Sequence, residues 1–357
     1  MSIFNRCISL LLVLVMVVSM IPAQAAAAGY RIALEKSSEL GDVLGKILEQ
    51  DDDDTVPAQT VPEIVTEPEA IVETEAIPEP EIILMDTEGE YTYTVSAENT
   101  ATITNYTGSD TELVIPDSLG GYPVTGIGGS AFAKKSIISV VIPDGVTVIG
   151  NYAFDGCTSL AVIDLPDSLT TLEGKAFGSC TSLLEIRIPV NVSSAGVVEY
   201  NDYGPFHASG IRKAIMEPGS TAIPANMFRR AQKLEEVVMC EGITTIGSHA
   251  FDECTSLAVV DLPDSLTTLE GKAFGGCTSL LEISIPAQIN TAGVVEYNDC
   301  GPFHASGIRK VIMEPGSTAI PANMFRRAQE LEEVVMYEGI TTIGSHAFDE
   351  CTSLADY

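Results

Sequence analysis

The chain has 357 residues, a length that ordinarily allows about two or three compact domains. Its formal net charge is −32, from 50 acidic and 18 basic side chains. That sign disfavours DNA or RNA as a partner, since binding to the phosphate backbone draws on Lys and Arg. At the N-terminus, Arg6 precedes an apolar run from Cys7 to Ile21, and small residues follow through Ala28. This pattern reads as a secretory signal peptide over residues 1–28. The run is shorter than the roughly 20 apolar residues of a membrane span, so no transmembrane anchor beyond the signal is expected. Cys7 lies at the head of the apolar run and away from the cleavage site, which argues against a lipoprotein. The expected location is therefore secreted or at the cell surface.

Within residues 29–48, Leu40, Val43, Leu44, Ile47 and Leu48 fall at helical spacing and predict a short amphipathic helix. Residues 49–89 read as an acidic, Pro/Glu-rich disordered linker. Between Glu49 and Glu90 there are 15 acidic residues and no Lys or Arg, with Pro57, Pro62, Pro68, Pro78 and Pro80 interspersed. Such a stretch cannot bury enough apolar surface to offset its ordering entropy and extends by self-repulsion. Asp51–Asp54 lacks the glycine turn and spaced ligands of a calcium loop and reads as a solvated charge run.

From residue 90 the chain reads as one repeat array. Tyr91, Tyr93 and Val95 alternate, then Ala101, Ile103 and Asn105, which predicts a β-hairpin capping the first repeat. Phenylalanines then recur at 132, 154, 177, 206, 228, 251, 274, 303, 325 and 348, at spacings of 22, 23 or 29 residues. A period near 23 lies in the leucine-rich-repeat range. In the unit Leu160 to Cys180, Leu160, Ile163 and Leu165 alternate inward on a strand that Pro166 ends. Asp167 and Ser168 begin a turn, Leu169 and Leu172 return to the interior, and Gly174 permits a tight bend. Ala176 and Phe177 then fill the core, and Cys180 closes the turn. No unit buries its apolar side alone, so about ten of them must stack.

The joint placement of Leu160, Ile163, Leu165, Pro166, Leu169, Leu172, Ala176, Phe177 and Cys180 resembles the BspA-like leucine-rich repeat, over about residues 90–357. The resemblance implies a mostly β or α/β-type solenoid: a right-handed horseshoe with short parallel strands on a concave face, in secreted or surface proteins that adhere to host or neighbouring-cell components. Residues 157–253 and 254–350 form a second, longer repeat that differs at 12 of 97 positions. No C-terminal cap is apparent before Tyr357, so the last turn offers an open edge for self-association.

Cys157, Cys180, Cys254, Cys277 and Cys351 each stand three residues after a Phe and read as small buried thiols, with disulfides between neighbouring turns as the alternative. Cys240 and Cys300 are each absent from the other copy, which argues against a disulfide through them. No Cys-x-x-Cys pair suggests zinc. His207, His249, His304 and His346 are two repeat positions seen twice, read as surface or turn residues without a nucleophile beside them. There is no phosphate-binding glycine loop. The expectation is a non-catalytic protein with no cofactor and no metal.

Candidate binding residues lie in two places. The first is the outward row of the strands: Ser139 and Val141, Val162 and Asp164, Glu185 and Arg187, Lys213 and Ile215, Glu236 and Val238, Val259 and Asp261, Glu282 and Ser284, Lys310 and Ile312, Glu333 and Val335. The second is the pair of insertions in the 29-residue units, with Tyr200, Asn201, Asp202 and Tyr203, repeated as Tyr297, Asn298, Asp299 and Cys300. Tyrosine joins apolar area to a polar tip and suits a protein or glycan ligand, while a packed rim loop is the plainer reading. Arg229-Arg230, repeated as Arg326-Arg327, reads as a solvated turn. The functional expectation is adhesion or protein binding to an extracellular protein or glycan. The alternative is a structural spacer or passive coat that presents a further module.

Overall fold

The computed structural model describes residues 84–192, 203–289, 294–295 and 300–354. The expected signal peptide, amphipathic helix and most of the acidic linker lie outside these. The cap is larger than a hairpin. Strands β1 (Leu84–Glu88), β2 (Tyr91–Val95) and β3 (Ala101–Tyr106) form an antiparallel meander, and β3 then pairs in parallel with Tyr122–Ile127. The cap thus begins at Leu84, inside the stretch expected to be linker. Its acids are engaged: Asp86 accepts from the Tyr93 hydroxyl, Glu88 from the Gly120 amide, and Glu90 from the Tyr106 hydroxyl.

Beyond the cap, each turn of the solenoid has three sides. One side carries the anticipated strands, which pair in parallel from turn to turn: Glu112–Val114 with Ser139–Val141 and Val162–Asp164; Glu185–Ile188 with Lys213–Met216 and Glu236–Val238; and Glu282–Ile285 with Lys310–Met313 and Glu333–Val335. A second row of short parallel strands follows. It includes Val148–Ile149 and Thr171–Leu172, then Ala222–Ile223, Thr245–Ile246 and Thr268–Glu270. Outside this row, Thr147 donates its hydroxyl to the Thr125 carbonyl and Thr170 to that of Thr147, so side chains reinforce the backbone ladder. Among the described residues there is no helix.

The third side is the phenylalanine edge. Rings from Phe132 to Phe348 stack in one column, with centroids 5.0–5.9 Å apart and planes within 21° of parallel. The cap extends it through Tyr106, 5.4 Å from Phe132, and Tyr91, 4.9 Å from Tyr106. The Phe amides form their own ladder, for example Phe154 to the Ala176 carbonyl at 2.7 Å. The rest of the repeat closes over these rings: Leu160, Leu169, Leu172, Ala176, Phe177 and Cys180 are all fully buried. Ile163 is only half-buried.

The Phe turn depends on left-handed backbone, though not at Gly174. The residue two before the Phe has φ of 56–60° in eight turns, and is Ser130, Tyr152, Lys175, Asn226, His249, Lys272, Asn323 or His346. The residue two after is left-handed as well, from Lys134 to Glu350. For side chains other than Asn or Gly this conformation costs about 1 kcal/mol or more, which the buried ring and its backbone ladder must offset.

Candidate interaction surface

On the phenylalanine edge, the reactive side-chain types are bound into the fold. Each repeat thiol donates to the carbonyl of the Phe one turn back: Cys157 to Phe132, Cys180 to Phe154, Cys254 to Phe228, Cys277 to Phe251 and Cys351 to Phe325, at 3.0–3.2 Å. Burial pushes Cys157 and Cys351 up to about 11 and raises Cys254 and Cys277 as well, opposite to the shift that activates a cysteine nucleophile.

One expectation for this edge is narrowed and one is corrected. His249 is 6% exposed and its Nδ1 lies 3.0 Å from Asp252, so it is a buried turn residue and not a surface one. Arg229 and Arg230 are not simply solvated. Arg229 reaches Asp252 at 3.2 Å and Arg230 reaches Glu253 at 3.1 Å, each crossing to the next turn. A planar guanidinium satisfies a carboxylate one turn away without disturbing the stack. Burial, then Lys175 and Arg230, lower His207 to about 4. Among the described residues, no group of three or more His, Cys, Asp or Glu is placed to hold a metal ion.

Of the tyrosine loops, Tyr200, Asn201, Asp202, Tyr297, Asn298 and Asp299 lie outside the described residues. Tyr203 is half-buried. Lys175 Nζ sits 3.9 Å from its ring centroid, Arg230 lies 5.2 Å away, and the His207 ring packs against it at 4.4 Å. Its faces are taken by its own chain, as in a packed rim loop. In the second copy Cys300 occupies this position, 5% exposed, with Arg327 3.8 Å from its sulfur.

The strand face is different. Its residues alternate as the pattern requires, with Ile186, Ile188, Ala214, Met216, Val237, Ile283 and Ile285 buried and their neighbours outward. Outward charges pair along the rows: Arg212 with Glu235, Lys213 with Glu236 at 2.7 Å, Arg309 with Glu332 at 3.1 Å, and Lys310 between Glu282 and Glu333 at 3.9 Å from each. Glu185 and Arg187 meet at 3.8 Å. Asp164 and Asp261 are exposed and make none of these pairs. Between the charged rows stand exposed aliphatic residues: Val114 at 69%, Val141 at 56%, Val162 at 62% and Val259 at 74%. Val114 and Val141 are direct cross-strand neighbours.

Residues 125–204 and 221–355 match the model of the BspA type leucine-rich repeat region, in six copies. Among solved structures, a leucine-rich repeat protein from Bacteroides capillosus is 33% identical, over 38% of this chain and 99% of its own, with a TM-score of 0.33. One from Bacteroides ovatus is 23% identical over 76% of this chain and 81% of its own, with a TM-score of 0.44. A leucine-rich cell surface protein from Faecalibacterium prausnitzii is 23% identical over 78% of this chain and 95% of its own, with a TM-score of 0.39. No curated protein matches the chain.

Proposed function

This chain belongs to the BspA-type leucine-rich-repeat family, and from that premise we propose that it is an exported, non-catalytic protein that binds an extracellular protein or glycan through its strand face. The observation that carries this reading is the exposure of the cross-strand pair Val114 and Val141, and of Val162 on the next strand, on a face whose charges are otherwise largely paired. A soluble sheet has no need to leave neighbouring valines in water, whereas a partner that covers them gains about 25 cal/mol for each Å² removed from solvent. Asp164, Glu185, Arg187, Lys213, Glu236, Asp261, Glu282, Lys310 and Glu333 would then form a polar surround that sets register more than affinity. The tyrosine-bearing loops add a second candidate contact.

The test is a binding panel of matrix proteins, mucins and cell-wall glycans against the immobilised full chain and a Val114→Ser/Val141→Ser/Val162→Ser variant. The reading expects at least one ligand whose affinity falls about tenfold in the variant, with an unchanged melting temperature. Unchanged binding would remove the face from consideration. The absence of any ligand would favour the spacer reading, for which the mutual pairing of face charges is the supporting observation.

A further inference from the structure

The parallel pairing on the strand face is interrupted in the middle of the molecule. One sheet ends at Glu236–Val238, the next begins at Glu282–Ile285, and the intervening segment Ala258–Asp261 is in neither. Elsewhere each turn except that of Glu185–Ile188, which has no such bond to Val162–Asp164, is tied to the one before it: Ala161 and Val162 donate to the Ile138 carbonyl, Glu235 and Glu236 to that of Arg212, Glu332 and Glu333 to that of Arg309. Among the described residues, no such backbone bond joins Ala258–Asp261 to either neighbour. A cleft of about 450 Å³ opens there, with Val238, Val259 and Leu262 among its walls and Asp261, Asp264, Glu241 and Glu314 around it.

The charge of this cleft also differs from the rest of the face. Glu236 is matched by Lys213, but Glu241, Asp261, Asp264 and Glu314 have no ion pair among the described residues. Glu314 is raised by burial and then by Asp264 and Asp261, consistent with carboxylates that face one another without a cation. The acids are too dispersed to make a metal site. The positive charge that completes such a surface must therefore be spread along its carrier. Sequence alone does not create the cleft. One copy earlier the same positions hold Asp144, Asp164, Asp167 and Glu217, yet there Ser139–Val141 and Val162–Asp164 are hydrogen-bonded into one sheet, and Ser139 stands where Glu236 does.

We propose that the opening between Glu236–Val238 and Glu282–Ile285 is the docking site for an extended basic segment of a protein partner. Its Lys or Arg side chains meet Asp261, Asp264, Glu241 and Glu314, and its aliphatic side chains cover Val238 and Val259. This rests on the reading of the strand face as a binding surface and assigns the chemistry of its ligand. Unpaired backbone groups beside an acidic, aliphatic-walled cleft suit a peptide better than a folded, mixed-charge surface.

The probe is a fluorescent decapeptide of alternating Lys and Val, titrated into the full chain, with an alternating Glu and Val peptide as the charge-reversed control. Two double variants remove equal charge: Asp261→Asn/Asp264→Asn in the opening, and Asp144→Asn/Asp167→Asn at the counterpart one copy earlier. The proposal expects about a tenfold loss of affinity for the first and less than about twofold for the second, with Val259→Ser costing roughly threefold. Matching melting temperatures exclude a folding defect. Equal losses in both double variants would overturn it, since the peptide would then be sensing only net charge. Failure here with intact loss of panel ligands in the valine variant sinks the basic-peptide assignment alone; the converse sinks the valine surface.

Discussion

The phenylalanine edge and the strand face belong to the same turns and the same repeat, yet they use their side chains in opposite ways. On the edge, rings form one column from Tyr91 to Phe348, thiols donate to Phe carbonyls, and Arg229, His249 and Asp252 close on one another. On the face, ion pairs are largely solvent-exposed, valines stand in water, and the sheet itself is interrupted at Ala258–Asp261. Tyrosine, histidine, cysteine and paired charge are the residue types that usually suggest a site, and here they mostly build the scaffold. The plainer residues are the ones left available.

Substitutions on the two sides should separate them by stability. The largest effect is expected for Phe251→Ala, which removes a fully buried ring from the middle of the stack and should cost about 3–5 kcal/mol in denaturant unfolding. Val259→Ser on the face should stay within about 0.5 kcal/mol. Next is Asp252→Ala, which takes the shared carboxylate from Arg229 and His249 and should cost about 3 kcal/mol. Its counterpart Asp349→Ala, at a side chain 48% exposed, should cost less than about 1 kcal/mol. If the two were equal, burial would not be what makes the edge structural.

The edge should also respond to acid. His207 is lowered from 6.5 to about 4, so the unfolded chain takes up this proton more readily than the folded one. The contribution is complete above pH 6.5 and is lost as pH falls from there toward 4. A pH series of melting temperatures for wild type and His207→Asn should diverge in that window and run parallel above it. Cys254→Ala, which deletes a thiol donor, should cost about 1 kcal/mol by denaturant unfolding. Smallest of all, Lys213→Ala breaks an exposed pair with Glu236 and should lower stability by less than about 0.5 kcal/mol in the same measurement.

Much of the scaffold is legible in the sequence. The Phe period, the inward alternation of Leu160 and Leu165 and the small buried Cys are local patterns with a fixed physical meaning. The features that escape such reading depend on partners distant in sequence or on backbone geometry. Tyr91 and Tyr106 extend the ring column from antiparallel strands that share no motif with the repeat. The second strand row is only two residues long in places such as Thr171–Leu172. The left-handed turn positions hold Lys175 and His249 rather than glycine, so the bend carries no signal. The opening in the face is the clearest case: Ala161–Asp164 and Ala258–Asp261 differ only at Ile163 and Val260, yet Val162–Asp164 is paired and Ala258–Asp261 is not.

Backbone hydrogen exchange on the full chain tests that contrast most directly, because it reads pairing without requiring a ligand. The amides of residues 258–261 should exchange at least about tenfold faster than those of Glu236–Val238 and Glu282–Ile285, while the hydrogen-bonded amides of Phe154, Phe177, Phe228, Phe251, Phe274 and Phe325 remain protected. Equal protection across residues 258–261 and both flanking strands would mean that the face is one closed sheet and the opening does not exist.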